Sequence, residues 1–227
     1  MTMTTQPNLR SAHAFKELGT ANRNSRAFIF VHGFQAHYRA LGWSTTCSSW
    51  SRGLRGWGYE GRIFAFRWFA DLADGPRRGR RDWRAEEAAG KLWEFIDESE
   101  LPIRSISLLG FSMGGDIIYH LLRHAACNNL RFRRIYFVGA AASRTVRWRR
   151  LLASSTRSVW NFHSDNDRFL RHFYRDAIGL SGFHDTYNYF YPNTRDIDCT
   201  AFIDSHGEWA PNLRLCLWHA RLSGAHL

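Results

Sequence analysis

Short apolar runs alternate with segments of helical periodicity through most of this chain after residue 24. The apolar runs have the length of β-strands and lie at residues 27–31, 62–68, 104–109, 134–138 and 158–162. Apolar residues three and four positions apart mark helices near residues 83–96, 117–122 and 167–174. Strands that alternate with helices form parallel β-α-β units with right-handed crossovers. The pattern therefore predicts an α/β fold whose mostly parallel, doubly wound sheet is flanked by helices.

The two ends of the chain carry weaker signals. Residues 1–24 are polar and aperiodic, and we predict a flexible N-terminal arm followed by a single domain over residues 25–227. The last strand falls at either 187–191 or 197–202, and the sequence does not decide between them. The final helix is expected to begin at Pro211 and to end at Gly224. The basic segment 75–81 is read as a loop, because it is too short to link two domains.

Positive charge dominates the composition, with a formal net charge of +11. Lys16 and Lys91 are the only lysines, so arginine supplies almost all of this charge. Such a balance would favour an anionic partner, and an anionic membrane surface is the partner that we keep as an alternative. Nucleic acid is not expected. The plainer interpretation is that scattered arginines cover a solvated surface.

Cysteine usage and the absence of a leader sequence point to a reducing compartment. The four cysteines lie far apart and form no C-x-x-C pair, which argues against a zinc site or a disulfide scaffold. The N-terminal residues show no basic start followed by an apolar run, and no apolar stretch is long enough to span a bilayer. We therefore expect a cytoplasmic protein, and we expect no metal or organic cofactor.

The motif with the most chemical content is Gly-Phe-Ser-Met-Gly at residues 110–114, between a predicted strand and a predicted helix. A nucleophilic serine needs a sharp turn that raises its hydroxyl above the edge of the sheet, and small residues on either side let the strand and helix approach. The context makes Ser112 the candidate nucleophile. The backbone N–H of Met113 would then face the developing oxyanion.

A serine hydroxyl is a weak nucleophile at neutral pH and requires a base that is oriented by an acid. The acid is sought after the second strand beyond the nucleophile, where Asp167 and Asp165 compete and Asp167 is preferred. Asp167 also suits a helix N-cap, a role compatible with catalysis. The base is sought after the last strand, where His206 precedes the final helix and His184 is the alternative.

Two further groups of residues bear on the site. The turn after the first predicted strand contains His32 and Gly33, and it would let the N–H of Phe34 (or Gln35) act as the second oxyanion donor. We expect His32 to brace this turn rather than to titrate in catalysis. The remaining candidate histidines, His219 and His226, fall on or beyond the final helix and are interpreted as surface groups.

From about residue 27 to the last helix, the chain resembles the α/β-hydrolase superfamily. Within it, the chain is similar to a lipase-like or esterase-like branch that is known as a domain of unknown function. The residues that carry the resemblance are Val-His-Gly-Phe at 31–34, Trp68, the Gly-x-Ser-x-Gly motif at 110–114, His-Ser-Asp-Asn-Asp at 163–167, Ile-Gly-Leu at 178–180 and His206. The resemblance implies a triad of Ser112, Asp167 and His206, with Asp167 preferred over Asp165. The interval between Ser112 and Asp167 is short, so we expect no large lid.

The residues and the resemblance together predict a serine hydrolase that cleaves a carboxylic ester or a related acyl substrate through an acyl-enzyme. Its partner would be a small-molecule acyl or lipid ester. The alternative is a catalytically silent binding protein on the same scaffold, since a fold does not dictate a function. Such a protein would dock an anionic partner through the arginines at 77–81 and 144–150.

Overall fold

The five apolar runs of the sequence form five strands of one seven-stranded sheet. The computed structural model describes residues 14–18, 26–33, 43–68, 78–183 and 193–222. In chain order the strands are β1 (Ala14–Glu17), β2 (Ala27–Val31), β3 (Arg62–Arg67), β4 (Ile106–Phe111), β5 (Arg134–Val138), β6 (Val159–His163) and β7 (Thr194–Asp198). Their spatial order is β1-β3-β2-β4-β5-β6-β7. Only β1 runs antiparallel to its neighbour, so the predicted mostly parallel sheet is confirmed.

Helices cover both faces of the sheet. In chain order they are α1 (Trp43–Gly56), α2 (Arg78–Glu98), α3 (Gly114–Cys127), α4 (Trp148–Ser155), α5 (Arg168–Phe173), α6 (Ile178–Ser181) and α7 (Trp209–Leu222). Short 3₁₀ turns occupy Ile103–Ser105 and His206–Glu208. In the part of the chain that the structure describes, no helix is both long enough and apolar enough to cross a membrane.

The central strand β2 is buried along its whole length and separates two apolar cores. Ile29 and Val31 point to the core that contains residues of α2, α3 and α4, whereas Phe28 and Phe30 point to the core that contains residues of α1 and α7. Side chains alternate between the two faces of a strand, so a strand that is apolar at every position is suited to the middle of a doubly wound sheet. This arrangement confirms the predicted α/β class.

The predicted N-terminal arm is wrong in one part, because residues Ala14–Glu17 form the edge strand β1. The Phe15 ring stacks on Phe95 of α2 and on Phe66 of β3. Glu17 pairs with Arg62 at 2.9 Å. A four-residue strand carries too few residues to show a periodic pattern, and this one is held by its partners. The rest of residues 1–24 lies outside the described part of the chain.

Two helices differ from the sequence-based expectation. Helix α1 was not predicted, because its many serines and threonines dilute the apolar face formed by Cys47, Trp50 and Leu54. Helix α2 begins at Arg78, so the interpretation of residues 75–81 as a loop is wrong from that residue onward. Arginine is a good helix former, and the charge of this segment does not prevent a helix.

The last strand and the last helix also differ in their boundaries. Strand β7 occupies Thr194–Asp198 and overlaps the predicted range 197–202 at only two residues. It pairs with β6 and buries only Ile197, so it lacks the apolar run by which strands β2 to β6 were found. Helix α7 begins at Trp209, two residues before the predicted start, and Pro211 lies in its first turn, where proline is tolerated. The range 187–191 and Gly224 lie outside the described residues.

The packing of Phe15 gives a test of the edge strand. We expect Phe15→Ala to lower the free energy of unfolding by about 2 kcal/mol, because a partly buried ring that stacks on two others is lost. The matched variant Glu17→Gln should lower the free energy of unfolding by less than about 1 kcal/mol, since the ion pair that it removes is exposed. Urea unfolding measures both. Equal stability of Phe15→Ala and the wild type would show that this segment does not pack on the sheet.

Candidate active site

Ser112 lies in the sharp turn between the end of β4 at Phe111 and the start of α3 at Gly114. Its φ angle is +53°, in the left-handed region that residues other than glycine seldom adopt. A strained serine between a strand and a helix is the arrangement that lifts a nucleophilic hydroxyl above the sheet edge. Gly33, which follows β2, packs against this serine, and a Cβ at Gly33 would lie 2.6 Å from Ser112 Cβ.

The glycines on either side of Ser112 are required by close packing. A Cβ at Gly114 would lie 2.1 Å from the carbonyl oxygen of Val31, and one at Gly110 would lie 2.9 Å from the carbonyl oxygen of Gly114. Helix α3 can therefore begin directly against β2 only if these positions carry no side chain. The Gly-x-Ser-x-Gly spacing is thus a consequence of how β4 and α3 approach each other.

Asp167 follows β6, as the sequence predicted for the acid, and its side chain is fully buried. Its Oδ1 atom accepts a hydrogen bond from the N–H of Leu170 at 3.0 Å, which makes Asp167 the N-cap of α5. Its Oδ2 atom accepts from His206 Nδ1 at 2.7 Å and from Trp209 Nε1 at 2.9 Å. A buried carboxylate is costly unless its oxygens are hydrogen-bonded, and here both are.

The structure distinguishes Asp167 from the competing carboxylate. Asp165 is exposed, and its backbone N–H donates to Thr200 Oγ1 at 3.1 Å while its carbonyl accepts from Arg171. Of these two carboxylates, only that of Asp167 is hydrogen-bonded to His206. Of the other histidines, His219 lies on α7 with its ring edge-on to Phe202, while His184 and His226 lie outside the described residues.

Two aromatic rings stack on the imidazole of His206. The ring centroid of Phe111 lies 4.9 Å from that of His206, and the ring centroid of Phe169 lies 4.6 Å from it. Because a carboxylate can only accept, Nδ1 of the imidazole carries the proton that faces Asp167, which leaves Nε2 able to act as a base. Phe111 directly precedes Ser112, so this stacking places the imidazole beside the serine turn.

Ser112 and His206 are both described, and no hydrogen bond joins their side chains. Hydrogen bonds between a nucleophile and its base are often long in free enzymes and tighten when the substrate binds. The structure therefore brings Asp167 and His206 into direct contact and Ser112 into their neighbourhood.

The turns that carry the acid and the histidine are tied to each other. Ser164 Oγ donates to the carbonyl oxygen of Ile203 at 2.7 Å. Asn166 Nδ2 donates to the carbonyl oxygen of Thr200 at 3.1 Å and to Asp204 Oδ1 at 3.2 Å. Ser164 and Asn166 belong to the segment 163–167 on which the resemblance rests, so these residues of that segment fix the position of the loop before His206.

Trp209 is a residue of the site whose role the sequence analysis did not identify. Its side chain is fully buried, and its indole N–H donates to the same oxygen of Asp167 that bonds His206. Its position three residues after His206, in the first turn of α7, was the signal that both side chains could reach one carboxylate.

Of the two expected oxyanion donors, the structure describes Met113 but not Phe34. Met113 is the N-cap of α3, and the described residues provide no acceptor for its backbone N–H. A free N–H at the positive end of a helix can bind an anion. Phe34 and its alternative Gln35 lie outside the described residues. Among the described residues, no group of three or more His, Cys, Asp or Glu side chains could hold a metal ion.

His32 braces the turn after β2, as the sequence suggested. The N–H of Trp68 donates to His32 Nε2 at 3.2 Å, so the ring proton is on Nδ1 and is donated to the carbonyl oxygen of Gly33. The Trp68 indole N–H donates to the carbonyl oxygen of His32 at 2.9 Å. Complete burial lowers the pKa of His32 to about 3, and the nearby Arg67 also lowers it, while the hydrogen bond to Gly33 opposes both.

The sheet order, the serine turn between β4 and α3 and the positions of Asp167 and His206 after β6 and β7 define the fold as that of an α/β-hydrolase. The chain belongs to the family described as protein of unknown function DUF726, whose model matches residues 77–222. This confirms the resemblance to an uncharacterised branch. Among curated proteins, none matches the sequence.

Solved structures with the same fold are distant in sequence. A lipase-esterase related protein from Clostridium acetobutylicum is 10% identical, with 95% of this chain and 100% of that chain covered and a TM-score of 0.56. An α/β serine hydrolase without a lid from Xanthomonas campestris is 16% identical, with 93% and 88% covered and a TM-score of 0.55. A predicted CIB-like hydrolase from Thermoplasma acidophilum is 15% identical, with 93% and 92% covered and a TM-score of 0.53. Identities this low show a shared fold.

The buried His32 predicts a dependence of stability on pH. Its pKa is about 3 in the folded chain and about 6.5 in the unfolded chain, so only the unfolded chain takes up a proton as the pH falls below 6.5. His32 should therefore lower the free energy of unfolding by about 2 kcal/mol between pH 7.5 and pH 5. In urea unfolding, the stability difference between the wild type and His32→Asn should shrink over this range. A difference that is independent of pH would contradict the neutral, buried imidazole.

Proposed function

We propose that this protein is a serine hydrolase that cleaves a carboxylic ester or a related acyl substrate through a Ser112–His206–Asp167 triad. The observation that carries the proposal is the 2.7 Å hydrogen bond between Asp167 and His206, which leaves Nε2 of the imidazole free to accept a proton. The strained backbone of Ser112 and the ring of Phe111 stacked on His206 support it.

In the proposed reaction, His206 Nε2 removes the proton from Ser112 Oγ as that oxygen attacks the acyl carbonyl carbon. The tetrahedral oxyanion accepts hydrogen bonds from the N–H of Met113 and, by our prediction, from that of Phe34. Collapse of this intermediate breaks the bond to the leaving alkoxide, which takes the proton from His206. Water, deprotonated by His206, then attacks the acyl-enzyme and releases the acid and free Ser112. Asp167 accepts the hydrogen bond from Nδ1 and holds the imidazole in place.

The elements around the site favour a substrate that reaches Ser112 without interfacial activation. Every residue between Ser112 and Asp167 is described, and helices α3 and α4 with strands β5 and β6 occupy most of this interval. No lid is inserted there. Phe111 and Phe169 flank His206 with apolar surface, which suits the acyl part of an ester. A small-molecule acyl or lipid ester is therefore the proposed substrate class.

The first test is labelling of the purified protein with a fluorophosphonate probe, which reacts with activated serines. We expect stoichiometric labelling of the wild type and none of Ser112→Ala. The matched control Ser154→Ala removes an exposed hydroxyl that bonds only within α4 and should label as the wild type does. A folded wild type that takes up no label would refute the triad, and labelling that survives in Ser112→Ala would place the nucleophile elsewhere.

The contact of Trp209 with Asp167 predicts a second effect. Trp209→Phe removes the indole N–H and keeps most of the ring, so the carboxylate loses one of its donors and orients His206 less firmly. In Trp209→Phe we expect the labelling rate of Ser112 to fall about tenfold. In Asp167→Asn, where the imidazole tautomer is no longer fixed, we expect this rate to fall about 10⁴-fold. Both rates are measured by stopping the labelling reaction at a series of times. Thermal unfolding first shows that each variant is folded. An unchanged rate in a folded Trp209→Phe would show that the indole serves packing alone.

Docking to an anionic surface remains the rival function, and exposed arginines favour it. Arg147, Arg149 and Arg150 are exposed at the start of α4, while the side chains at 77–81 lie outside the described residues. Attraction through arginines weakens steeply as salt is raised, whereas turnover of a small neutral ester responds little. Binding to anionic vesicles that is lost at high salt, in a protein that takes up no fluorophosphonate, would favour the rival. A cytoplasmic location stays a prediction.

A further inference from the structure

A cavity of about 400 Å³ opens at the edge of the sheet opposite to Ser112. It lies where β2, β4 and β5 begin, whereas the serine turn follows the end of β4. The side chains important to its chemistry are Arg26, Arg133, Arg134, Arg221, Tyr59 and Ser107. Neither Asp167 nor His206 lines it, so this cavity is separate from the proposed active site.

The cavity concentrates positive charge from different parts of the chain. Arg26 directly precedes β2, Arg133 and Arg134 stand at the start of β5, and Arg221 is in the last turn of α7. Among the described residues of the lining, Glu60 is the only carboxylate. Within the described residues, no ion pair joins any of these arginines to a carboxylate. Four arginines thus line one cavity, and no ion pair within the described residues neutralises any of them.

Bringing these arginines together is unfavourable in itself, because their positive charges repel one another. Burial lowers the pKa of Arg133, and the neighbouring charges of Arg26 and Arg134 lower it further. Like charges repel more strongly in a partly buried site than in water. An anion in the cavity would replace this repulsion with attraction and with charge-assisted hydrogen bonds.

One wall of the cavity has a rigid support. Tyr59 belongs to this wall, and burial raises its pKa to about 12, so its phenol stays protonated; its hydroxyl is shielded from solvent and has no hydrogen-bond partner among the described residues. Arg55 holds the turn that carries Tyr59, since one of its nitrogens donates to the carbonyl oxygens of Tyr59 and Gly61 at 2.7 Å each. Ser107 of β4 is buried at the cavity wall.

We propose that this arginine-lined cavity is a binding site for a free oxyanion of the phosphate class, such as a phosphorylated small molecule. The planar guanidinium group matches the geometry of phosphate oxygens and binds them through paired N–H groups. The volume suits a small ligand. The site is independent of catalysis at Ser112, and it differs from the arginines at 77–81 and 144–150 that the rival function would use.

The test is calorimetric titration of the full chain with inorganic pyrophosphate and, separately, with inorganic phosphate at constant ionic strength. We expect saturable binding near one ligand per chain. Arg133→Gln should weaken it about tenfold, because a direct charge-assisted contact is lost. The matched control Arg52→Gln removes the same charge from an exposed position on α1, outside the cavity, and should bind as the wild type does. Both variants should label with fluorophosphonate as the wild type does.

Equal weakening in Arg133→Gln and Arg52→Gln would overturn the proposal, because the protein would then respond only to net charge. Absence of saturable binding would also overturn it. A second experiment measures binding of the protein to vesicles that contain phosphatidylglycerol. Binding to these vesicles without binding of free pyrophosphate would show that the anion-binding site is a membrane-facing surface and not the cavity.

Thermal unfolding gives a readout that does not depend on calorimetry. Without phosphate, Arg133→Gln should unfold at a higher temperature than the wild type, since one of the repelling charges is gone. Saturating pyrophosphate should raise the unfolding temperature of the wild type more than that of Arg133→Gln. The cavity would be contradicted as a binding site if Arg133→Gln unfolded at a lower temperature than the wild type without ligand and if pyrophosphate raised both unfolding temperatures equally.

Discussion

The buried carboxylate of Asp167 links the parts of the structure on which the proposed chemistry depends. One oxygen caps α5, and the other accepts hydrogen bonds from His206 and Trp209, which stand at the start of the last helical segment. A buried charge is tolerated only when such bonds offset its lost hydration. The need to satisfy this carboxylate therefore draws together the turn after β6, the loop after β7 and the first turn of α7.

Much of the fold and part of the site could be predicted, because they depend on local patterns. Strands such as β2 and β5 are buried on both faces, so an apolar run is enough to identify them. The glycines at 110 and 114 are dictated by the close approach of β4, α3 and β2 and are visible in the sequence. Chain order pointed to Asp167 and His206, which are hydrogen-bonded in the structure.

The remaining features depend on tertiary contacts that leave little trace in the sequence. Strand β1 is held by the rings of Phe66 and Phe95, which are distant along the chain, and edge strand β7 buries only Ile197. The indole of Trp209 is distinguished from an ordinary core tryptophan only by the carboxylate it meets. The arginines of the cavity at the opposite edge come from separate elements, so only folding brings them together.

The most direct test of the account is the intact mass of the protein after rapid acid quenching during turnover of a short-chain p-nitrophenyl ester. We predict a mass increase of one acyl group, which peptide mapping places on Ser112 and which Ser112→Ala lacks. A burst of one equivalent of p-nitrophenolate should accompany it. Turnover without an acylated Ser112, or acylation of a different residue, would contradict the proposed triad.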